Sequence, residues 1–156
     1  MKKKTEEKFY SMTFLKNFSD YGSYVPDKIM MYPFISGQEF LNIVNSAKRS
    51  SKEEPLLSDL LKRFNIRQYL GVTFFKMSLE TQKKFFLMTG LVRDFSCLLM
   101  DEPSNAIDKQ NIDTVIACLN EISKDKMIII VTHDQYLQSQ LPGSVFERNN
   151  KFLVLR

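Results

Sequence analysis

Apolar and polar positions along the chain fall into two regimes. Between residues 36 and 92 apolar residues recur at helical spacing, and after residue 96 short continuous apolar runs flank one amphipathic stretch. Ser36-Gly37-Gln38-Glu39 has the form of a capping box, Ser36 at the N-cap and Glu39 three residues on. The helix behind it turns Phe40, Leu41 and Val44 inward and runs to about Lys48. A polar break over 50–54 leads to Pro55 in a first helical turn and to a stripe of Leu56, Leu57, Leu60, Leu61 and Phe64. A third helix is expected behind Ser78, with Phe85, Phe86, Met88, Leu91 and Val92 inward and Lys83-Lys84 on a solvated face. Residues 97–100 and 127–132 read as buried strands of a parallel sheet, because their apolar residues are continuous and do not alternate. Between them Ile112, Val115, Ile116, Leu119 and Ile122 mark a helix from behind Asp108 to about Lys124. The tail offers a strand at Val145-Phe146, a turn at Asn149-Asn150 and a strand over 152–155. Residues 1–24 are Lys-rich and then aromatic, without a period, and read as a strand or an irregular segment.

Helices followed by strand-helix-strand predict an α/β fold: a partial parallel sheet with helices, plus an inserted helical subdomain. The expected organisation is one domain over 1–156, with the helical subdomain at 36–77 and the remaining core at 78–156. At 156 residues one domain can bury roughly 68–70% of its unfolded surface. The longest strongly apolar run, over 127–131, is far short of the ~18 residues a membrane span needs. Lys2-Lys3-Lys4 leads into Thr5-Glu6-Glu7-Lys8, which is no signal peptide. The expected place is the cytoplasm. Net charge is +4 with a pI near 9.0, but no basic stripe with interleaved aromatics occurs, so nucleic acid is not an expected partner. Cys97 and Cys118 lack metal-ligand spacing and read as reduced core residues.

The chemistry sits where Cys97-Leu98-Leu99-Met100 runs into Asp101-Glu102-Pro103. Acids at the carboxyl end of a parallel strand lie where open α/β sheets bind ligands. There Asp101 can hold Mg²⁺ directly or through water, and Glu102 can polarise an attacking water. This is the form of a Walker B motif. Its usual partner is the phosphate loop G-x-x-x-x-G-K-[ST], and none of the five glycines here precedes a lysine.

The surroundings of Asp101 carry a resemblance. Ser104-Asn105-Ala106-Ile107-Asp108 follows at once, His133 comes 32 positions after Asp101, and Met77-Ser78 places a serine 23 positions before it. The set resembles the ATP-binding subunit of an ABC transporter, over about residues 25–135, most closely at 98–108 and 131–134. The resemblance implies a partial P-loop NTPase-type fold with ATP and Mg²⁺ as cofactors. Asp101 is then the Mg²⁺-associated aspartate, Glu102 the general base and His133 the switch histidine that contacts the γ-phosphate. Asp108 closes a D-loop, which in the family communicates between two facing subunits. Tyr24-Val25-Pro26-Asp27 is similar to the Q-loop, with Asp27 where the family has glutamine. Residues 32–37 resemble the segment that faces the membrane partner. Met77-Ser78-Leu79-Glu80-Thr81-Gln82 stands in place of the L-S-G-G-Q signature.

Glu80 replaces a glycine of that signature, and two readings stay open. A carboxylate in the first turn favours the helix end by ~0.3–1 kcal/mol. Held ~4 Å from a phosphate charge at an effective dielectric of ~20, it would cost on the order of 4 kcal/mol. The function the resemblance implies is coupling of ATP binding and hydrolysis to transport. Its partners are a separate membrane subunit and a second ATP-binding subunit, as homo- or heterodimer, at the inner face of the cell membrane. The missing phosphate loop implies a family member without its first part, and a chain that by itself binds Mg-ATP poorly and does not turn it over. The alternative is a non-catalytic module that docks through 32–40 on a full-length ATPase or a membrane subunit. A chromosome-associated ATPase of the same head type would need long heptad runs, which the helical insert lacks.

Overall fold

The computed structural model describes residues 22–28, 32–46, 54–92, 95–149 and 152–155. Three parallel strands form the centre: β1 (Gly22–Val25), β2 (Cys97–Asp101) and β3 (Met127–Val131), in that spatial order. Leu98 lies between Ser23 and Ile128, and Met100 between Val25 and Ile130. Among the described residues five α-helices accompany them: α1 (Gly37–Ser46), α2 (Glu54–Arg63), α3 (Leu79–Val92), α4 (Lys109–Ile122) and α5 (Gln135–Gln140). An antiparallel pair, β4 (Phe146–Asn149) and β5 (Phe152–Leu155), closes the order. The expected turn at Asn149-Asn150 lies partly outside the described residues, and residues 1–21 lie wholly outside them. Among the described residues no helix is long and apolar enough to cross a membrane.

The capping box forms as the sequence predicts. The Ser36 backbone N–H donates to Glu39 Oε2 (2.7 Å) and the Glu39 N–H to Ser36 Oγ (3.2 Å). Behind it, Leu41 of α1 and Leu60, Leu61 and Phe64 at the end of α2 are buried; Leu57 packs partly buried against them, whereas Leu56 is exposed. Phe40, Phe74, Phe85 and Phe86 stack in edge-on and tilted pairs with centroids 5.3–5.4 Å apart. One apolar cluster runs from these rings through α3 to Leu98, Met100 and Leu119. A bidentate pair from Arg63 to Glu121 (2.9 and 3.0 Å) ties α2 to α4 at the surface.

Helix α3 is buried on nearly every side, so its apolar pattern has no solvent face. It meets β1 at Gly90. A Cβ there would collide with the Val25 side chain, and Ser23 Oγ donates to the Gly90 carbonyl (2.9 Å). This close approach corrects one expectation: Lys83, seven residues before Gly90 on the same face, is 1% exposed and not solvated. A second correction concerns β3. Met127, Ile129 and Val131 are 57%, 43% and 59% exposed, because they share the sheet face turned away from the core, toward which Ile128 and Ile130 point.

Replacing Gly90 by valine should lower stability by about 1–3 kcal/mol through overpacking. The expected reading is a lower urea midpoint with an unchanged slope.

Candidate functional site

Strand β2 delivers Asp101 and Glu102 to the carboxyl edge of the sheet, both half-buried. The Glu102 N–H donates to the Val131 carbonyl (2.9 Å), and the chain then leaves the sheet through left-handed backbone at Glu102 (φ 44°). Such backbone is uncommon outside glycine and persists where the surroundings hold it. Here they do. Glu102 Oε2 accepts from Thr132 Oγ1 (3.2 Å) and from the His133 backbone N–H (3.3 Å). His133 Nε2 lies 3.7 Å from Glu102 Oε1, with the ring 98% exposed. Thr132 Oγ1 also accepts from the Asp134 N–H (3.0 Å), and Asp134 caps α5 through Tyr136 and Leu137. Strands β2 and β3 thus bring the two acids and the histidine together.

Asp27 joins this edge from β1. Asn105 Nδ2 donates to Asp27 Oδ1 (2.8 Å), across the loop that follows Glu102. Beneath it, Lys83 Nζ donates to the carbonyls of Pro26 and Asp27, each at 3.1 Å. Burial pushes the Lys83 ammonium below its ordinary pKa, while the charges of Asp27, Asp101 and Glu102 pull it back up.

Ser78, Glu80 and Asp108 form a second group. Ser78 Oγ accepts from the Thr81 N–H (3.2 Å) and caps α3. The Glu80 carboxylate is turned along the helix flank: Oε1 accepts from Asn111 Nδ2 (2.8 Å) and pairs with Lys84 Nζ (3.1 Å). The same Asn111 Nδ2 donates to Asp108 Oδ1 (2.7 Å), and the Asn111 N–H caps α4 on that oxygen (2.8 Å). Asn111 therefore links the start of α3 to the start of α4. Its backbone amide holds the Asp108 carboxyl below the usual range, with its side chain and the Lys84 charge acting in the same direction.

Sequence reasoning missed Lys83, Asn105, Asn111 and Thr132. Lys83 was legible in principle: Phe85-Phe86-Leu87-Met88 leaves α3 no polar face, and Lys83 stands four residues before Leu87. The asparagines carry no such signal for their long-range contacts, Asn105 to Asp27 and Asn111 to Glu80, because those partners come from distant segments. For a metal, the donor set offers hard carboxylate oxygens. Among the described residues no three His, Cys, Asp or Glu side chains are grouped to hold an ion by themselves. One or two carboxylates at a strand end fit Mg²⁺, which keeps several waters and completes its shell with substrate phosphates.

Several known proteins resemble the chain in sequence or in fold. No family model matches the chain. A putative ABC transporter ATP-binding protein of Mycoplasma pneumoniae is 29% identical over 100 residues, covering 62% of this chain and 30% of that protein. The lipoprotein-releasing system ATP-binding protein LolD of Francisella tularensis is 28% identical over 98 residues, covering 60% and 42%. Among solved structures, an ATP-binding subunit of an ABC transporter superimposes with a TM-score of 0.66 at 24% identity, covering 71% of this chain and 48% of that one. The dimeric bacterial ABC transporter cassette MJ0796 gives 0.64 at 18%, covering 76% and 54%. The fold is that of an ABC-type P-loop NTPase domain. The chain is related to ABC transporter ATP-binding subunits over about 60% of its length. It spans less than half the length of the two curated relatives.

The lowered Asp108 value sets a pH dependence. A depressed carboxyl stabilises above its unfolded pKa of about 3.9 and loses that contribution as pH falls through the folded value. Asparagine also caps helices well. Thermal melts below about pH 4 should therefore fall more steeply for the parent chain than for Asp108→Asn.

Proposed function

We propose that this chain forms the Walker B, D-loop and switch part of an ABC-type ATP site. In this reading it acts with a membrane subunit and a second ATP-binding subunit to couple ATP hydrolysis to transport. The observation that carries the reading is the convergence on Glu102 of Thr132 Oγ1, the His133 N–H and the His133 ring. Held by those donors, one carboxylate oxygen is fixed and Oε1 stays available to orient a water and take its proton. Asp101 would hold Mg²⁺, which when bound neutralises developing phosphate charge. The exposed His133 ring is free to reach a γ-phosphate oxygen. Asp27 stands where it can orient the same water or metal shell, with Asn105 fixing its carboxylate. Ser78 and the N-terminal turn of α3 face the phosphate of an opposing subunit, and Asp108 lies at the seam between the two. With Glu80 tied to Asn111 and Lys84, its charge is offset on the helix flank, which favours the milder of the two readings of that residue.

The phosphate contacts that a P-loop supplies are not in this sequence, so the 156-residue chain by itself should bind Mg-ATP weakly and show no turnover. Isothermal titration is expected to find affinity weaker than micromolar. Micromolar binding that Asp101→Asn abolishes would overturn this.

A second reading, a non-catalytic docking module, is favoured by one surface. Tyr32, Phe34 and Phe75 are all strongly exposed, Phe34 at 83%, and they are joined through the Phe75 N–H to the Pro33 carbonyl (2.9 Å). Exposed aromatic groups of this kind mark interaction sites. Phe34→Asp and Phe75→Asp should leave the fold intact and abolish pull-down of a transporter membrane subunit. Retained ATPase-independent capture by the parent chain, together with no nucleotide binding even beside a second ATP-binding subunit, favours the docking module over the first reading.

A further inference from the structure

Strand β3 is an edge of the three-stranded sheet, and its outer rim is open over one short stretch. In a parallel ladder, alternate residues of a strand bond to a given neighbour. The Met127 N–H donates to the Ser96 carbonyl (3.1 Å), and the Val131 carbonyl accepts from the Glu102 N–H (2.9 Å). Residues 127, 129 and 131 therefore face β2, and the backbone groups of Ile128 and Ile130 point away from the sheet. At both ends the rim is closed. The Lys126 N–H donates to the Ile122 carbonyl (3.2 Å), and the Thr132 carbonyl accepts from Gln138 Nε2 (3.0 Å). Between these closures Ile128 and Ile130 make no outward hydrogen bond among the described residues. Exposed edges are commonly guarded by a charge, a proline or a bulge. Met127-Ile128-Ile129-Ile130-Val131 has none of these.

The open rim is its own complement. Two β3 strands set antiparallel about a two-fold axis at Ile129 bring Ile128 of one copy opposite Ile130 of the other. Both residues point outward, so each of the two such pairs exchanges an N–H···O=C bond in both directions. Ile129 then meets Ile129 of the second copy as a non-hydrogen-bonded pair, and Met127 meets Val131 of the second copy, on the exposed face of the sheet. The flanks agree in charge as well. Lys124-Asp125-Lys126 before the run carries surplus positive charge, and Thr132-His133-Asp134 after it carries negative charge with His133 neutral. Antiparallel pairing lays the first flank of one copy beside the second flank of the other. Backbone polarity, apolar side chains and flank charge match in the same register.

We propose that this chain self-associates through β3, the open rims of two copies joining their three-stranded sheets into one continuous sheet. The contact is isologous, as a two-fold axis requires. It uses neither Ser78 nor Asp108, so it is distinct from the contact with a facing ATP-binding subunit. A five-residue rim buries less than the roughly 1,200 Å² of small stable interfaces, so the dimer belongs to high micromolar concentration and comes apart on dilution.

Sedimentation equilibrium of the whole chain without nucleotide should give twice the 18.3 kDa mass at high micromolar concentration and the single mass on dilution. Hydrogen exchange should find the Ile128 and Ile130 amides protected only in the dimer, while the Ile129 amide, bonded to β2, stays protected throughout. Ile129→Lys sets like charges across the axis on a side chain that points away from the core. It should abolish the dimer and leave the thermal melt of the monomer unchanged. Cysteine substitutions read the register. Ile129→Cys should crosslink to itself under mild oxidation, because Cα atoms of non-hydrogen-bonded antiparallel pairs lie about 4.5 Å apart, within disulfide reach. Met127→Cys, which faces Val131 of the second copy, should not. Cys97 and Cys118 are buried, so the parent chain is the control. The mass of one chain at every concentration overturns the proposal, and lasting protection of Ile128 and Ile130 in that monomer would show the rim covered by another part of the same chain. A dimer that survives Ile129→Lys, or that forms only with Mg-ATP, places the contact elsewhere and overturns it too. Crosslinking through Met127→Cys but not Ile129→Cys excludes the self-complementary register, and the proposal with it. Should Ile129→Lys not fold, the exchange pattern of the parent chain decides alone.

Discussion

Where Gly90 meets Val25, helix α3 comes so close to strand β1 that even a methyl group on the helix would strike the strand. The rest of the described structure depends on that contact. It seats α3 on the sheet, so that Leu98 and Met100 of β2 and Leu87, Met88 and Leu91 of α3 share one core. It also sets the height at which the two ends of the helix stand. At its first turn, Glu80 reaches Asn111, which bonds the cap of α4. One turn further in, Lys83 is carried under the residues that leave β1. Interiors pack at crystal-like density, so a shift at Gly90 would be felt at both places.

The acids illustrate how a site is assembled from short-range rules and long-range placement. Asp101 and Glu102 reach the sheet edge because the strand ends there and ligand sites gather at the carboxyl ends of parallel strands. Their environment comes from three other segments: Asn105 in the following loop, Thr132 and His133 behind β3, and Lys83 on α3. Glu80 shows the same division. Its place in a first helical turn is a local matter. Whether its charge points at a ligand or along the flank was decided by Lys84 one turn on and by Asn111 from another helix.

Among the described residues the sheet has a helical side and an open side. Helices α3 and α4 cover the face that carries Val25, Leu98, Met100, Ile128 and Ile130, while Tyr24, Met127, Ile129 and Val131 are exposed on the other. A run such as Met127-Ile128-Ile129-Ile130-Val131 is what a strand covered on both faces looks like. Here it is covered on one. Related proteins are more than twice as long as the stretch they share with this chain, which is the setting in which the proposed functions belong.

By itself the sequence determined the local elements. Capping at Ser36, Ser78 and Asp108 is encoded within four residues. The helical stripe at 112–122, the buried strand at 97–101 and the order of motifs around Asp101 are equally short-range, which is why the family resemblance could be read without coordinates. What only the tertiary structure decided is where charge and apolar surface come to rest. Lys83, beside Lys84, has the look of a solvated pair, yet it is enclosed because α3 is packed on nearly every side. Met127, Ile129 and Val131 look buried, yet they are open because burial of a strand face depends on what packs across it. Periodicity reports which residues share a face; it does not report what that face meets.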